Sequence, residues 1–525
     1  MPDIGDPKRS STSKSNHIKM HTLQNTKRPM RAVELKIGLV IPCNADTNAK
    51  SFYDYKFIAD FVYSKKYFSY LLAVPVLISL TPKEHEIRVF DENIEDIDYE
   101  WEADLIGISV RTMYAHRAYE IAGRFRKRGV RTVLGGIHPS LCTEEALHHC
   151  DAVVIGEAEN VWGELIEDAK AGRLKRTYNA ETASDLTAKT IPNRSKLTRS
   201  RYFSDIVQTT KGCPFACEFC SVHVYDGQRI RHKSIDQVID EIEDIQESSG
   251  KFKKKSIFFA DDNIIADKKY AEKLFTALKP YQLNWSCQAS INIAKEDALL
   301  RLMKESGCGA ILIGLESISQ QNLTAMGKKV NLKTDYLAAI KKIQSYEILV
   351  HGSFIMGYDF DTAAEFDELI EFIEDSNLLM PLINILTPFP GTKLFHRLER
   401  DGRILHRDWQ RYDSKTVVFK PAKMAPEELA AEYRRVIRSV YSFDAIHRKL
   451  KYFWHLDFWK QSNRVDSIRF RYRLLFALRL CTLLFSMKLE RSKFILKLLP
   501  RMFDKRIRIS TVLTLMAYND YAYTD

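Results

Sequence analysis

The feature that most constrains this chain is the loop Gly212 to Cys220, GCPFACEFC, which sets Cys213, Cys217 and Cys220 at the spacing C-x3-C-x2-C after a short apolar strand expected over Ile206–Thr209. Three thiolates make an open ligand set. Structural zinc closes with four ligands, and no fourth cysteine or paired histidine follows at zinc-finger distance, His223 being the one nearby candidate. Cubane iron–sulfur clusters are held by thiolates, usually four, so a three-cysteine set leaves one iron open to a ligand that is not protein. The alternative, three incidental cysteines, fits poorly, because the other six of the nine are scattered without such spacing.

The loop, with aromatic Phe219 just before the third cysteine, resembles the signature of the radical S-adenosylmethionine (radical SAM) enzymes. That resemblance implies a [4Fe–4S] cluster on Cys213, Cys217 and Cys220, with its fourth iron chelated by SAM. It carries weight only where the surrounding chain reads as the matching barrel.

At 525 residues the chain is long enough for two to four domains, and no apolar run approaches the eighteen or so residues that span a bilayer. The odd, unpaired cysteines and the lack of a secretory pattern predict a reducing, cytoplasmic setting, which also suits an oxygen-sensitive cluster. A net charge of +11 favours polyanionic partners or an anionic membrane surface without choosing between them. Residues 1–34, polar and basic without apolar periodicity, read as a disordered tail.

Residues 35–171 alternate short apolar runs (Lys36–Ile41, Glu86–Phe90, Leu105–Val110, Thr132–Leu134, Ala152–Ile155) with helical segments such as Ala115–Lys127. The pattern predicts an α/β, doubly wound parallel sheet that binds ligands at its strand C-termini. The runs VLGGIHPSLCTEEAL and DAVVIGEAE there resemble the cobalamin-binding domain that precedes many radical SAM barrels. By that resemblance Gly135 and Gly136 let cobalamin approach the backbone; the plain alternative is that they supply turn geometry. The D-x-H-x-x-G motif is absent, and His138, in a G-G-x-H-P turn, is not expected to ligate cobalt. Residues 172–205, polar and containing Gly172 and Pro192, read as a linker.

Over 206–400, strands at Ser256–Ala260, Asn284–Ala289, Ala310–Gly314, Val350–Met356 and Leu382–Leu386 alternate with helices. With the strand before the cysteines this makes about six βα units, matching the partial (βα)6 barrel of the resembled family, whose site lies at the strand C-termini. The polar residues at those ends are Asp261, Asp262 and Asn263, then Gln288, Ser290 and Asn292, then Glu316. Resemblance implies that the first group meets the SAM amino group, Glu316 its ribose, and the Gly352–Gly357 turn its adenine, with Gln288 and Ser290 beside them. Helix capping is the alternative for Asp262, Asn263 and Glu316. No side chain is assigned as acid, base or nucleophile.

Residues 401–443 read as a barrel-closing segment and 444–525 as a helical region, basic and amphipathic to about residue 508. Such helices suit an anionic membrane surface or a packed subdomain with a solvated face; single-stranded nucleic acid ranks lower, and no nucleic-acid partner is expected. Over residues 36–440 the chain resembles cobalamin-dependent radical SAM enzymes, most of all the hopanoid C-2 methylase group, through FADDN, QASINIAK and IGLES; the magnesium-protoporphyrin ester cyclase type shares the architecture. The resemblance implies reductive cleavage of SAM, hydrogen abstraction from an unactivated carbon and methyl transfer from cobalamin to a small-molecule or lipid substrate, fed by an electron donor such as flavodoxin or ferredoxin. A cyclase or other rearranging enzyme remains an alternative, as does a non-catalytic iron–sulfur or membrane-binding protein.

Overall fold

A computed structural model of the chain describes residues 34–43, 56–61, 66–180, 183–188, 190–249, 256–455, 482, 489–498 and 509–523. The tail read as disordered therefore lies outside the described residues, except for Glu34.

The first sheet is fully parallel, in the order β2-β1-β3-β4-β5-β6, with β1 at Lys36–Ile41, β2 at Glu86–Asp91, β3 at Leu105–Ser109, β4 at Arg131–Gly135, β5 at Ala152–Ile155 and β6 at Thr177–Asn179. Chain direction across the sheet reverses at β1 and β3, the crevice where such sheets bind ligands. The five expected strands are all present; the sixth falls within the stretch read as a linker, where Val153–Ile155 pair with Thr177–Asn179.

The rest of that stretch is an interdomain seam. Arg194 is buried, pairs with buried Glu241 of the barrel helix Ile235–Ser249, and donates from Nε to Tyr70 Oη at 2.6 Å and from a terminal nitrogen to the Ile206 carbonyl at 2.9 Å. Tyr202 donates to Asp91 Oδ2 at 2.6 Å, and Arg199 pairs with Asp205 at 2.8 Å. Arg194 and Arg199 are thus spent on charge pairs, the condition under which buried charge is tolerated, while Arg173, Arg176 and Lys196 of the same stretch stay exposed.

The second sheet, also fully parallel, runs β7-β10-β11-β12-β13-β14, with β7 at Ser204–Val207, β10 at Ser256–Phe259, β11 at Asn284–Ala289, β12 at Cys308–Glu316, β13 at Leu349–Met356 and β14 at Leu382–Ile385. It is an open half-barrel. Alternate residues (Ile257, Phe259, Trp285, Cys287, Ile311, Ile313, Phe354) pack outward in one large core with the helices. The opposite face (Phe258, Gln288, Leu312, Ser353, Ile355) is only partly buried, as strand alternation requires of a lumen.

The C-terminal helices join the barrel core. Ile446, Leu450, Phe453, Phe494, Ile495 and Leu498 are buried, and the helix Ile509–Tyr523 is seated by Asn519, which donates to the Tyr441 carbonyl at 2.7 Å, and by Phe57 against Tyr518 and Tyr521. Among the described residues the basic amphipathic reading thus meets a packed subdomain, with Leu489 and Leu496 left exposed beside Lys493 and Lys497. Residues 456–481, 483–488 and 499–508, which carry much of the basic charge, lie outside the described residues. No helix among the described residues is long and apolar enough to cross a membrane.

Candidate functional site

The cysteine loop leaves β7 through a two-stranded antiparallel ribbon, β8 (Thr210–Lys211) and β9 (Arg231–His232). Gly212 has φ +91°, and a Cβ there would stand 2.5 Å from the Arg229 carbonyl oxygen, so the loop entry admits glycine alone. Cys213 donates its N–H to Gly227 and Cys220 to Cys217. Glu218 anchors the loop: its N–H donates to the Met326 carbonyl at 2.9 Å, its carbonyl accepts from Leu394 at 3.0 Å, and its carboxylate takes Arg397 Nε at 2.6 Å and the Tyr358 hydroxyl. Arg397 in turn pairs with Asp359 at 2.6 Å.

The three thiols are partly or fully buried, and burial raises all three, Cys220 to about 12. The backbone N–H groups of Phe215 and Val222 oppose this at Cys213 and Cys220, and at all three thiols, foremost Cys217, so does Lys328. Burial pulls its ammonium down, but Glu316, at 2.8 Å from Nζ, and the thiolates of Cys217 and Cys220 outweigh that and hold it above the ordinary lysine range. Glu316 therefore enters the site as half of an ion pair. A bulge between β12 and β13 gives it φ +64° and folds its side chain back over Gly314, where any Cβ would collide with the Glu316 carboxylate.

The polar strand ends divide. Asp261 is fully buried and accepts from Thr209 N at 3.1 Å, Thr209 Oγ1 at 2.8 Å, Thr210 Oγ1 at 2.6 Å and Thr210 N. It is saturated, and its work is to tie β10 to the start of the cysteine loop. Asp262 accepts from Gly212 N–H while its buried Oδ2 has no partner; burial, then nearby Asp226 and Asp261, push it up to about 7. Asn263 Oδ1 accepts from Ser290 N at 3.1 Å, and Ser290 Oγ contacts Asn292 at 2.5 Å, fixing the β11 end next to it. Gln288 lies on the lumen face.

Gly352 and Gly357 are not lumen residues. A Cβ on Gly352 would meet Leu378 and Leu315 at 2.8 and 2.9 Å, and one on Gly357, at φ +99°, would meet Leu429 at 2.5 Å. Close packing on the outer face accounts for glycine at both positions, and the side chains that the Gly352–Gly357 turn presents to the lumen are Ser353 and Ile355.

A cavity of about 590 Å³ lies where the C-terminal ends of the first sheet meet the barrel. Gly107, Gly135, Gly136 and Gly156 line it from the sheet, Leu39, Val74 and Leu77 supply apolar wall, and Gln208, Lys211, Tyr225 and Asp226 close it from the barrel side. At Gly136, φ is +98° and a Cβ would stand 3.0 Å from the Val110 carbonyl oxygen. Glu157 braces the rim: burial alone would raise it, but Arg231 and Lys211 (3.1 Å) hold it down at about 2. His138 is buried outside this cavity, its Nε2 3.0 Å from Tyr119 Oη and 3.8 Å from Glu145, which also accepts from Trp409 Nε1 at 2.8 Å. It fastens the G-G-x-H-P turn to the post-barrel segment.

Residues 207–373 match the radical SAM superfamily, 78–166 the B12 binding domain and 392–523 a domain of unknown function, DUF4070. The bacteriochlorophyllide d C-8(2)-methyltransferase of Chlorobaculum tepidum is 34% identical over 419 residues, 77% of this chain and 91% of that protein. This chain belongs to the cobalamin-dependent radical SAM methyltransferase family. The hopanoid C-2 methylase of Rhodopseudomonas palustris is 31% identical over 346 residues, covering 63% of this chain and 65% of the methylase. The fold is shared with the cobalamin-dependent radical enzyme OxsB, solved with aqua-cobalamin and SAM, at TM-score 0.61 and 14% identity over 94% of this chain and 84% of OxsB.

The residues present fit the family's cofactors. Cys213, Cys217 and Cys220 would hold the [4Fe–4S] cluster, the orphaned Asp262 Oδ2 suits the ammonium of SAM, and the glycine-lined cavity suits cobalamin, whose approach to the backbone any side chain there would obstruct. Bound there, the cluster and SAM supply one-electron chemistry and cobalamin a transferable methyl group. The chain's own residues orient and insulate: Glu218 and Arg397 fix the loop, and Lys328 balances its thiolates. Glu218, Lys328 and Arg397 were not singled out from sequence. Glu218 lies inside the motif and was open to inspection; Lys328 and Arg397 reach the loop only through tertiary folding.

Proposed function

We propose that the reaction adds a methyl group to an unactivated carbon of a large, rigid, mostly apolar ring molecule. The observation that carries this is the half-barrel lumen, where Phe258, Leu312 and Ile355 supply apolar wall between Ser286, Gln288, His351 and Ser353 on the same face, while the charged groups Asp262, Glu316 and Lys328 gather at the strand ends by the cysteine loop. Apolar wall takes up the body of a ligand, and the polar groups set into it orient that body. A polycyclic lipid of the hopanoid kind is the first reading. A tetrapyrrole is the second, favoured by the higher identity and fuller coverage of the bacteriochlorophyllide methyltransferase.

Methyl transfer, as opposed to ring closure, predicts both S-adenosylhomocysteine and 5′-deoxyadenosine among the products, whereas cyclisation predicts deoxyadenosine without methyl transfer. The deciding experiment compares lipid and pigment extracts of cells with and without the protein by mass. A species heavier by one methylene in the lipid fraction supports the first reading, in the pigment fraction the second; a shift in neither removes both.

A further inference from the structure

The outer face of the cysteine loop has the composition of a docking site. Pro214 is exposed, Phe215 and Ala216 are partly exposed, and Val224 on the following short helix is 38% exposed, giving a small apolar centre over the cluster ligands. Three exposed cations are held around it by backbone neighbours. Arg229 stands against Gly212, whose missing side chain faces the Arg229 carbonyl. Lys329 follows the Gly327–Lys328 turn, where Gly327 abuts the Ala216 carbonyl. Lys393 precedes Leu394, which donates to the Glu218 carbonyl, and its charge helps lower His223 after burial has done so.

None of the three takes part in an ion pair among the described residues. Nor does the loop neutralise them. Its one carboxylate, Glu218, is already occupied by Arg397 and Tyr358. An apolar centre rimmed by charge is the anatomy of a transient protein interface, and uncompensated cations steer an acidic partner toward it.

Resting on the radical SAM reading, we propose that Arg229, Lys329 and Lys393 form the docking rim for an acidic, low-potential electron-carrier protein, which delivers its electron to the cluster through this face. In that step the carrier loses one electron and the cluster gains it; no atom or proton need pass. Screening by salt should weaken the encounter.

The test uses reconstituted full-length protein and reduced flavodoxin as the probe. Arg229→Glu, Lys329→Glu and Lys393→Glu together should weaken flavodoxin binding, measured by calorimetry, and flavodoxin-driven SAM cleavage at low salt by roughly tenfold or more, within the range of electrostatic steering. The same variant should cleave SAM at the wild-type rate with titanium(III) citrate, which needs no docking face. Lys127→Glu, in the first domain, should change neither. Carbodiimide cross-linking of unaltered protein to flavodoxin should join at Lys329 or Lys393. Undiminished flavodoxin binding by the triple variant, or cross-links confined to other lysines, would overturn the proposal. Failure of wild-type protein to cleave SAM with titanium(III) citrate would instead overturn the reading beneath it.

Discussion

The Glu316–Lys328 pair offers the sharpest test of how the site is built. At 2.8 Å and an effective dielectric of about 20, the attraction between the two charges is about 6 kcal/mol, most of it offset by the cost of taking both from water. Removing one partner strands the other, at a cost of about 3–5 kcal/mol, whereas removing both leaves no stranded charge. Glu316→Gln and Lys328→Met should therefore each loosen the strand Cys308–Glu316 in hydrogen exchange of the cluster-free protein, and the double variant should loosen it no more than either alone. The thiols give a second, signed readout. Lys328 lowers and Glu316 raises Cys217, so alkylation of Cys217 at pH 8 should slow in Lys328→Met and quicken in Glu316→Gln. SAM affinity should fall in Glu316→Gln with iron content after reconstitution unchanged. Additive single effects in exchange, or alkylation rates moving in the same direction, would refute the coupling of the pair to the cluster loop.

Anaerobically reconstituted protein should bind about four irons per chain, as a cubane requires, and Cys217→Ala should lose deoxyadenosine formation altogether, as followed by chromatography. Gly136→Val, which demands positive φ and space already taken by Val110, should abolish retention of hydroxocobalamin through gel filtration while leaving iron content intact. Lys449 is buried, and burial lowers its folded pKa to about 7, below the unfolded 10.5. As pH drops from 10.5 toward 7 the unfolded chain takes up the proton first, so this group costs stability that grows over that window and levels off below 7. Lys449→Met should raise the protection of the helix Phe443–His455 at pH 7 and lose most of that advantage by pH 10. Finally, full-length protein should cosediment with anionic liposomes in a salt-sensitive way and a folded truncation ending near Tyr441 should not, since each basic residue near such a surface contributes about 1 kcal/mol; equal behaviour of the two would assign the C-terminal helices to packing alone.

The architecture was legible because periodicity carries it. Runs such as Lys36–Ile41 and Ala152–Ile155 have the length and β-branched content of buried parallel strands, and both strand positions match the structure. The cysteine loop was legible because its ligands are contiguous in sequence. What escaped was whatever depends on partners far apart in the chain. Arg194 reads as a surface residue until Glu241, 47 residues on, is brought beside it. Asp261 and Asp262 are neighbours of the same type, yet one is consumed by threonine hydroxyls and amides while the other keeps an oxygen free, a distinction that only the strand register decides. The packing that holds position 352 to glycine is likewise long-range, since a Cβ there would meet Leu378 and Leu315.

The seam through Arg194, Tyr202 and Asp205 also bears on how the protein lives in a cell. The strand-end cavity takes wall from both halves, so a molecule filling it binds the assembled arrangement and has little to hold in a chain whose halves have parted. Occupancy then stabilises the assembled form by mass action, with about 2.7 kcal/mol gained at a hundredfold excess over Kd. Copies without that occupant would part more readily at the seam and expose the strand ends on both sides of it to proteolysis.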